Sequence, residues 1–174
     1  MRFASSQAEE ETFHQDDLIQ LFPFGLSLNV DSERPLLLLK DERHEFTLPV
    51  ALTPIEAGVT LTQSNPTAVP ATPHRFTQLL MESLGIQARQ AVFVQIKGAH
   101  QFLRLYLQGH PSLNSIKVRA DEAMSLCLQL GLPVFATRDF IQRSRLMTAE
   151  MEGLKQGLKK NPQVLRQRAS RILQ

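Results

Sequence analysis

Polar side chains that can move protons or hold charge lie near the starts of three predicted helices. His74 falls in the first turn of one of them, where unpaired backbone N–H groups and the helix dipole disfavour an imidazolium. Glu56 falls in the first turn of another, and Asp121 and Glu122 open a third, directly after a strand that ends at Arg119. Acids and bases at strand-to-helix junctions are where proteins of mixed α and β structure gather a site.

Each of these residues also has an ordinary structural role. Thr53, Pro54 and Glu56 form a helix start in which Glu56 is the capping-box partner of Thr53. Asp121 and Glu122 are favoured at a helix N-terminus by electrostatics alone. His74 is equally compatible with an ordinary polar residue in a first helical turn. The residues alone leave both interpretations open.

General catalytic signatures are absent from the sequence: it has no glycine-rich phosphate loop, no His-Glu-x-x-His and no Gly-x-Ser-x-Gly element. Cys127 lies between two leucines in a predicted helix and is interpreted as a small buried hydrophobic residue. The five histidines include no pair spaced by four residues, as a zinc site on one helix would need. His44 and His100 fall in predicted turns and are expected to be exposed to solvent.

Strands and helices alternate along the chain. Alternating and apolar runs predict strands near 24–30, 35–40, 46–50, 115–118 and 133–136, with a hairpin over 92–107. Cap-and-proline signals and apolar periodicity predict helices near 53–63, 72–84, 120–130 and beyond 138. In the first helix, the apolar Ile55, Val59 and Leu61 and the small Ala57 and Gly58 suit close packing against the sheet. The predicted class is α+β: a mixed, largely antiparallel sheet packed by helices, with a helical C-terminal extension.

The length indicates one domain, and the two ends of the chain carry charges of opposite sign. The chain has 174 residues, 43% of them hydrophobic, which is enough for one core. Residues 1–20 hold one arginine against five acids, whereas residues 138–174 hold nine Lys or Arg against three acids. We therefore expect a flexible acidic segment over 1–20, a domain over 21–141 and a basic helical extension over 142–174. The basic end is either a solvated helix face or a surface that attracts nucleic acid or an acidic partner.

The expected compartment is the cytoplasm. A single cysteine allows no intramolecular disulfide, which fits a reducing environment. Apolar runs fall far short of the roughly 20 residues that a bilayer crossing needs. The acidic N-terminus is unlike a signal peptide.

Two stretches resemble the bifunctional nuclease (BFN) domain family. The first stretch, residues 48–57, reads LPVALTPIEA and is similar to that family's Leu-Pro-Ile-x-Ile-Gly-x-x-Glu-Ala element. The second, residues 116–134, reads IKVRADEAMSLCLQLGLPV. It is similar, without a gap, to the family's Val-Asp-Ala-Arg-Pro-Ser-Asp-Ala-Ile-Ala-Leu-Ala-Leu segment and the Pro-Ile that follows. Between them, His74 falls on the histidine of the family's Arg-Pro-x-Thr-His-Asp-Leu element. The resemblance covers residues 23–141. It departs from the family pattern at Arg75, Lys117, Ala120 and Asp121.

The resemblance implies a homodimeric nuclease that hydrolyses phosphodiester bonds in DNA or RNA. On that basis His74 or Glu122 would activate a water, and Arg119 would stabilise charge on the phosphoryl oxygens. Glu56 and Asp121 could hold a divalent cation, Mg²⁺ or Mn²⁺. The alternative is a catalytically degenerate dimeric scaffold, or a module that binds nucleic acid or protein. A pocket that contains Glu56, His74, Arg119 and Glu122 would favour the enzyme, and scattered positions would favour the scaffold.

Overall fold

The computed structural model describes residues 17–28, 34–63 and 73–160, and their fold is α+β, as the sequence predicted. The strands within these residues are β1 (Leu18–Ser27), β2 (Leu36–Lys40), β3 (Thr47–Ala51), β4 (Gln87–Lys97), β5 (His100–Gln108), β6 (Ser115–Arg119) and β7 (Val134–Thr137). The helices are α1 (Pro54–Gln63), α2 (His74–Ser83), α3 (Ala120–Gln129) and α4 (Arg138–Lys160).

The strands form one mixed sheet in the order β3-β2-β1-β7-β4-β5-β6. Its pairings are antiparallel except for the parallel contact between β4 and β7. The predicted hairpin of β4 and β5 is confirmed. The sheet curls strongly, as a contact between distant strands shows. The Gln101 side-chain amide in β5 donates to the Pro49 carbonyl in β3 at 2.9 Å, although four strands lie between β3 and β5 in the sheet order.

The hydrophobic core lies on the inner face of this curl. Leu39, Leu48, Phe93 and Leu103 are completely buried there, one from each of β2 to β5. Helices α3 and α4 cover the core with further buried side chains: Ala120, Ala123, Met124, Cys127, Phe140 and Ile141. Both helices therefore pack on the same face of the sheet.

The domain edges lie slightly outside the boundaries expected from the sequence. β1 begins at Leu18, which pairs with Thr137 of β7, so the sheet starts within the segment 1–20. α4 runs without a break across the boundary at 141/142, and Phe140, Ile141 and Ser144 in its first turns are buried. The predictions for residues 1–16 and 161–174 lie outside the described residues.

The packing predicted for α1 holds only in part. Ala57 is 3% exposed and lies in the core, but Ile55 is 73% exposed and Leu61 is 47% exposed. α1 contacts α3, and its buried residues are Glu56, Ala57 and Thr60. A mainly polar face thus holds α1 to the body.

Helix α2 also turns a mainly polar side toward the body of the protein. Its half-buried positions are His74, Thr77, Gln78 and Met81, which lie on one side of the helix. The amphipathic stripe lies on the opposite side and is exposed to solvent: Phe76, Leu79, Leu80 and Leu84. The apolar periodicity that predicted a helix over 72–84 is confirmed as a helix, but its apolar residues do not face the core.

Helix α4 is the longest described helix, at 23 residues. Neither α4 nor any other described helix combines the length and the apolar character that a bilayer crossing requires.

Candidate active site

A row of polar residues runs along α3: Asp121, Ser125 and Gln129. The spacing of four residues places them on one face of the helix, one per turn. The core residues Ala123, Met124 and Cys127 occupy the other side. Each member of the row gathers its own partners from neighbouring elements, so three polar clusters lie on successive turns.

The Ser125 cluster consists of Glu56, His74 and Ser125. One carboxylate oxygen of Glu56 accepts from the backbone N–H and the hydroxyl of Ser125, at 3.1 and 2.5 Å. The other lies 3.2 Å from Nε2 of His74. Ser125 is completely buried and Glu56 is 7% exposed. Three helices therefore meet at one buried carboxylate.

The hydrogen bonds of this cluster set the tautomer of His74. Nε2 of His74 is 2.6 Å from the Ser125 hydroxyl oxygen. That hydroxyl already donates to Glu56, and a carboxylate only accepts, so Nε2 must carry the hydrogen that it shares with both oxygens. In the neutral ring the lone pair is then on Nδ1. The His74 side chain is 14% exposed.

This arrangement differs from a serine-histidine-acid triad. In a triad the acid and the serine hydroxyl bind different ring nitrogens, and the serine donates to the histidine. Here both oxygens share Nε2, and Ser125 donates to Glu56 instead. Ser125 is therefore not activated as a nucleophile.

The capping-box role predicted for Glu56 is wrong. Thr53 does cap α1, because its hydroxyl accepts from the Glu56 backbone N–H at 3.2 Å. The Glu56 side chain, however, reaches Ser125 and His74 rather than back to Thr53.

The Asp121 cluster consists of His100, Arg119, Asp121 and Glu122. Arg119 binds Asp121 through two N–H groups, at 2.9 and 2.6 Å, which is the bidentate geometry of a strong ion pair. Nδ1 of His100 lies 3.5 Å from the same carboxylate. The expectation that His100 is simply solvent-exposed is wrong, since its side chain is only 33% exposed.

Arg119 keeps Asp121 ionised. Burial by itself would raise the pKa of Asp121, but the hydrogen bond and the charge of Arg119 outweigh burial and lower that pKa below its ordinary value. The charges of His100 and Arg34 act in the same direction. In return, the hydrogen bond to Asp121 raises the pKa of Arg119. The pair is fully charged at neutral pH.

The five residues singled out from the sequence thus fall into two clusters. Glu56 and His74 are together, and Arg119, Asp121 and Glu122 are together. Glu122 is held weakly, because its side chain is 59% exposed and its contact with Arg119 is 3.5 Å long. The clusters lie one helical turn apart, about 6 Å along α3.

The carboxylates of Glu56 and Asp121 do not fit a shared cation site. Each belongs to a different cluster, and both oxygens of each already have partners. Over the ranges that the structure describes, no group of three or more His, Cys, Asp or Glu side chains converges as metal ligands.

Sequence reasoning missed three members of these clusters: Ser125, Gln129 and His100. Gln129 donates to Gln78 of α2 at 3.0 Å and accepts from Gln63 of α1 at 3.2 Å. The available signal was the spacing of polar residues at 121, 125 and 129 in an otherwise apolar helix. For His100 no comparable signal exists, since its partner comes from another element.

The cysteine prediction is confirmed. Cys127 is completely buried on the core side of α3, and burial raises the pKa of its thiol to about 12. A thiol that is not ionised at neutral pH is a poor nucleophile.

No protein-family model matches the sequence, and no curated protein matches it significantly.

Proposed function

We propose that this chain is a nuclease of the bifunctional type, which hydrolyses phosphodiester bonds in DNA or RNA. The observation that carries the proposal is the hydrogen-bonded pair of Glu56 and His74, 3.2 Å apart and braced by Ser125. A carboxylate that fixes Nε2–H orients the ring and leaves Nδ1 as the base. The resemblance of residues 48–57 and 116–134 to BFN domains points to the same chemistry.

In the proposed mechanism, Nδ1 of His74 takes a proton from the water that attacks phosphorus. The bond from phosphorus to the leaving sugar oxygen breaks, and a solvent water protonates that oxygen. Glu56 acts as a positioning residue, because it touches the histidine and not the substrate. Arg119 is 35% exposed, and its guanidinium can bind phosphoryl oxygens through N–H groups that Asp121 does not use. Glu122 is the less favourable base, since its carboxylate is 59% exposed and its contact with Arg119 is 3.5 Å long. Any Mg²⁺ or Mn²⁺ would need ligands other than this pair of carboxylates.

Incubation of the purified chain with labelled RNA and DNA tests the proposal, in Mg²⁺, Mn²⁺ or EDTA. The variant His74→Ala should lose cleavage by about 10²- to 10⁴-fold, as expected for removal of a general base. His44→Asn is the matched control: it removes an exposed histidine from a turn with φ of 59°, a conformation that asparagine tolerates. Full cleavage by folded His74→Ala would contradict the proposal.

Two further variants separate the roles within the cluster. Ser125→Ala should keep most of the cleavage rate, whereas a nucleophilic serine would make it inactive. Glu56→Gln should retain substrate binding but displace the pH profile of kcat, because the amide changes the basicity and the orientation of His74. An unchanged pH profile would remove Glu56 from the mechanism.

The proposed location is the cytoplasm, and the proposed oligomer is a homodimer that buries the exposed stripe of α2. Phe76 is 73% exposed and Leu80 is 48% exposed, on a helix face turned away from the body. The exposed stripe of α2 also favours the second candidate function, a dimeric scaffold without catalysis. A scaffold needs an apolar dimer interface but no general base. Absence of cleavage in every metal condition, with the dimer intact, would favour the scaffold.

Sedimentation tests the dimer. Leu80→Glu should shift the equilibrium toward a monomer of 19.6 kDa at micromolar concentration, because a charge would be buried in the interface. Leu146→Glu on α4 is the control, since Leu146 is 64% exposed and lies outside the stripe. Equal sedimentation of both variants and the unchanged chain would exclude α2 as the interface.

A further inference from the structure

The outer face of β5 and β6 carries a group of aromatic and basic side chains that is separate from both clusters described above except at Arg119. We call this group the outer platform: Phe102, Arg104, Tyr106, Ser115, Lys117 and Arg119. Strand alternation defines it, because these residues alternate with Leu103, Leu105 and Val118, which pack in or against the core. The platform therefore faces away from α3 and α4.

The platform is partly exposed to solvent. Phe102, Arg104 and Tyr106 are half-buried at alternate positions of β5, and Lys117 of β6 is exposed. Neighbouring strands lie about 4.8 Å apart, so the two rows form one continuous surface. Its aromatic rings are not needed to fill the core.

Two cations of the platform, Arg104 and Lys117, have no acidic partner among the residues that the structure describes. Arg104 and Lys117 lie directly opposite each other on neighbouring strands, a like-charge pairing that destabilises a sheet. Neither forms an ion pair with a described carboxylate, and the sequences of β4, β5 and β6 contain no acidic residue. A lysine on an edge strand also discourages edge pairing, but Arg104 lies one strand inside. Repulsion of this kind is relieved when a polyanion binds.

Two aromatic residues of the platform lie on the same face of β5. Phe102 and Tyr106 are four residues apart on β5, about 13 Å along the strand, with Arg104 between them. Lys117 places its ammonium 5.8 Å from the centre of the Phe102 ring. Rings that stack on bases, flanked by cations that bind phosphates, are how proteins hold single strands.

We infer that the outer platform binds single-stranded nucleic acid, with bases on Phe102 and Tyr106 and phosphates on Arg104 and Lys117. The inference rests on the proposed function in that it names the substrate class of that nuclease. Arg119 connects the two surfaces: it pairs with Phe102 at the end of β6 and binds Asp121 at the start of α3. A single nucleic-acid strand that extends from the platform past Arg119 reaches the polar row of α3, which also carries the Ser125 cluster. A duplex has no free base faces to stack and is held less well.

Binding of fluorescent oligonucleotides in EDTA tests the platform without any cleavage. The paired variant Arg104→Gln with Lys117→Gln should weaken binding and reduce the slope of log affinity against log salt by about 1.4, since each phosphate contact on a single strand contributes about 0.7. The matched control is Arg143→Gln with Arg145→Gln, two exposed residues of α4 with the same charge change. An equal or larger effect of the α4 pair would overturn the inference in favour of the basic helix.

The aromatic part is tested by Phe102→Leu, which should weaken single-strand binding about tenfold and leave duplex binding unchanged. Phe102→Tyr should restore the affinity, because the ring is restored. Separate measurements with single-stranded RNA and single-stranded DNA show which of the two the platform binds. Binding of either one supports the inference. Equal loss for duplex and single strand, or competition by polyglutamate as strong as by oligonucleotide, would overturn it.

Failure of the two proposals is distinguishable. A chain that binds oligonucleotides through the platform but never cleaves them refutes the nuclease and leaves the platform. A chain that cleaves with an unchanged KM in the Arg104 and Lys117 variant refutes the platform and leaves the nuclease.

Discussion

The Ser125 and Asp121 clusters lie one turn apart on the same helix, yet they differ in how they use a buried carboxylate. In the Ser125 cluster, Glu56 is surrounded by protein donors, and its partner His74 is 14% exposed. In the Asp121 cluster, the carboxylate is buried but its partner Arg119 is 35% exposed. The difference teaches that one cluster fixes a histidine ring in a largely buried position, whereas the other holds a permanent positive charge closer to the surface.

The largest effect should follow loss of the Glu56 carboxylate. Glu56→Ala should lower the free energy of unfolding by about 3–5 kcal/mol, because it removes the acceptor of the Ser125 N–H and hydroxyl groups and of His74 from a buried site. Urea denaturation measures the change. Glu122→Ala, at a 59% exposed carboxylate, should change the same quantity by no more than about 0.5 kcal/mol. Similar losses for both variants would erase the distinction between the clusters.

The Asp121 cluster should respond to acid. Because the pKa of Asp121 is lowered in the folded state, its ionised form stabilises the protein above the unfolded pKa of about 3.9, and this stabilisation is lost as the pH falls through the folded pKa. Asp121→Asn should lower Tm at pH 7 by about 2–4 °C. The difference from the unchanged chain should shrink below pH 4. The control is Asp139→Asn, at a 73% exposed carboxylate, which should change Tm at pH 7 by less than about 1 °C.

A smaller effect is expected at the end of the row. Gln129→Ala removes neutral hydrogen bonds to Gln63 and Gln78, and should lower the free energy of unfolding by about 0.5–1 kcal/mol. Since these bonds join α3 to α1 and α2, hydrogen exchange in α2 should accelerate more than in β4. If hydrogen exchange accelerated equally in α2 and β4, the hydrogen bonds of Gln129 would not specifically hold α2 on α3.

The smallest effect tests whether the clusters act independently. A double-mutant cycle with Glu56→Gln and Asp121→Asn should give a coupling energy below about 0.5 kcal/mol, because the two carboxylates share no partner. A coupling above 1 kcal/mol would show that the row of α3 behaves as one network, and the comparison drawn above would fail.

Local patterns in the sequence determined the elements. Alternation identified the hairpin of β4 and β5, and the cap signal of Thr53 and Pro54 placed the start of α1 within a residue. The apolar flanks of Cys127 likewise predicted an inert, buried thiol. These inferences succeeded because each depends on residues close together in the chain, where periodicity and capping act.

The tertiary structure decided which face each element presents and which polar residues meet. Periodicity cannot tell whether an apolar stripe faces the core, so the stripe of α2 was recognised but its exposure was not. Glu56 and Ser125 are 69 residues apart, and His100 reaches Asp121 across elements. Such contacts follow from how the curled sheet and α3 bring distant segments together, which no local rule encodes. For the same reason, the five candidate residues were identified by type and position, while their division between two clusters emerged from the packing of α1 and α2 on the polar row of α3.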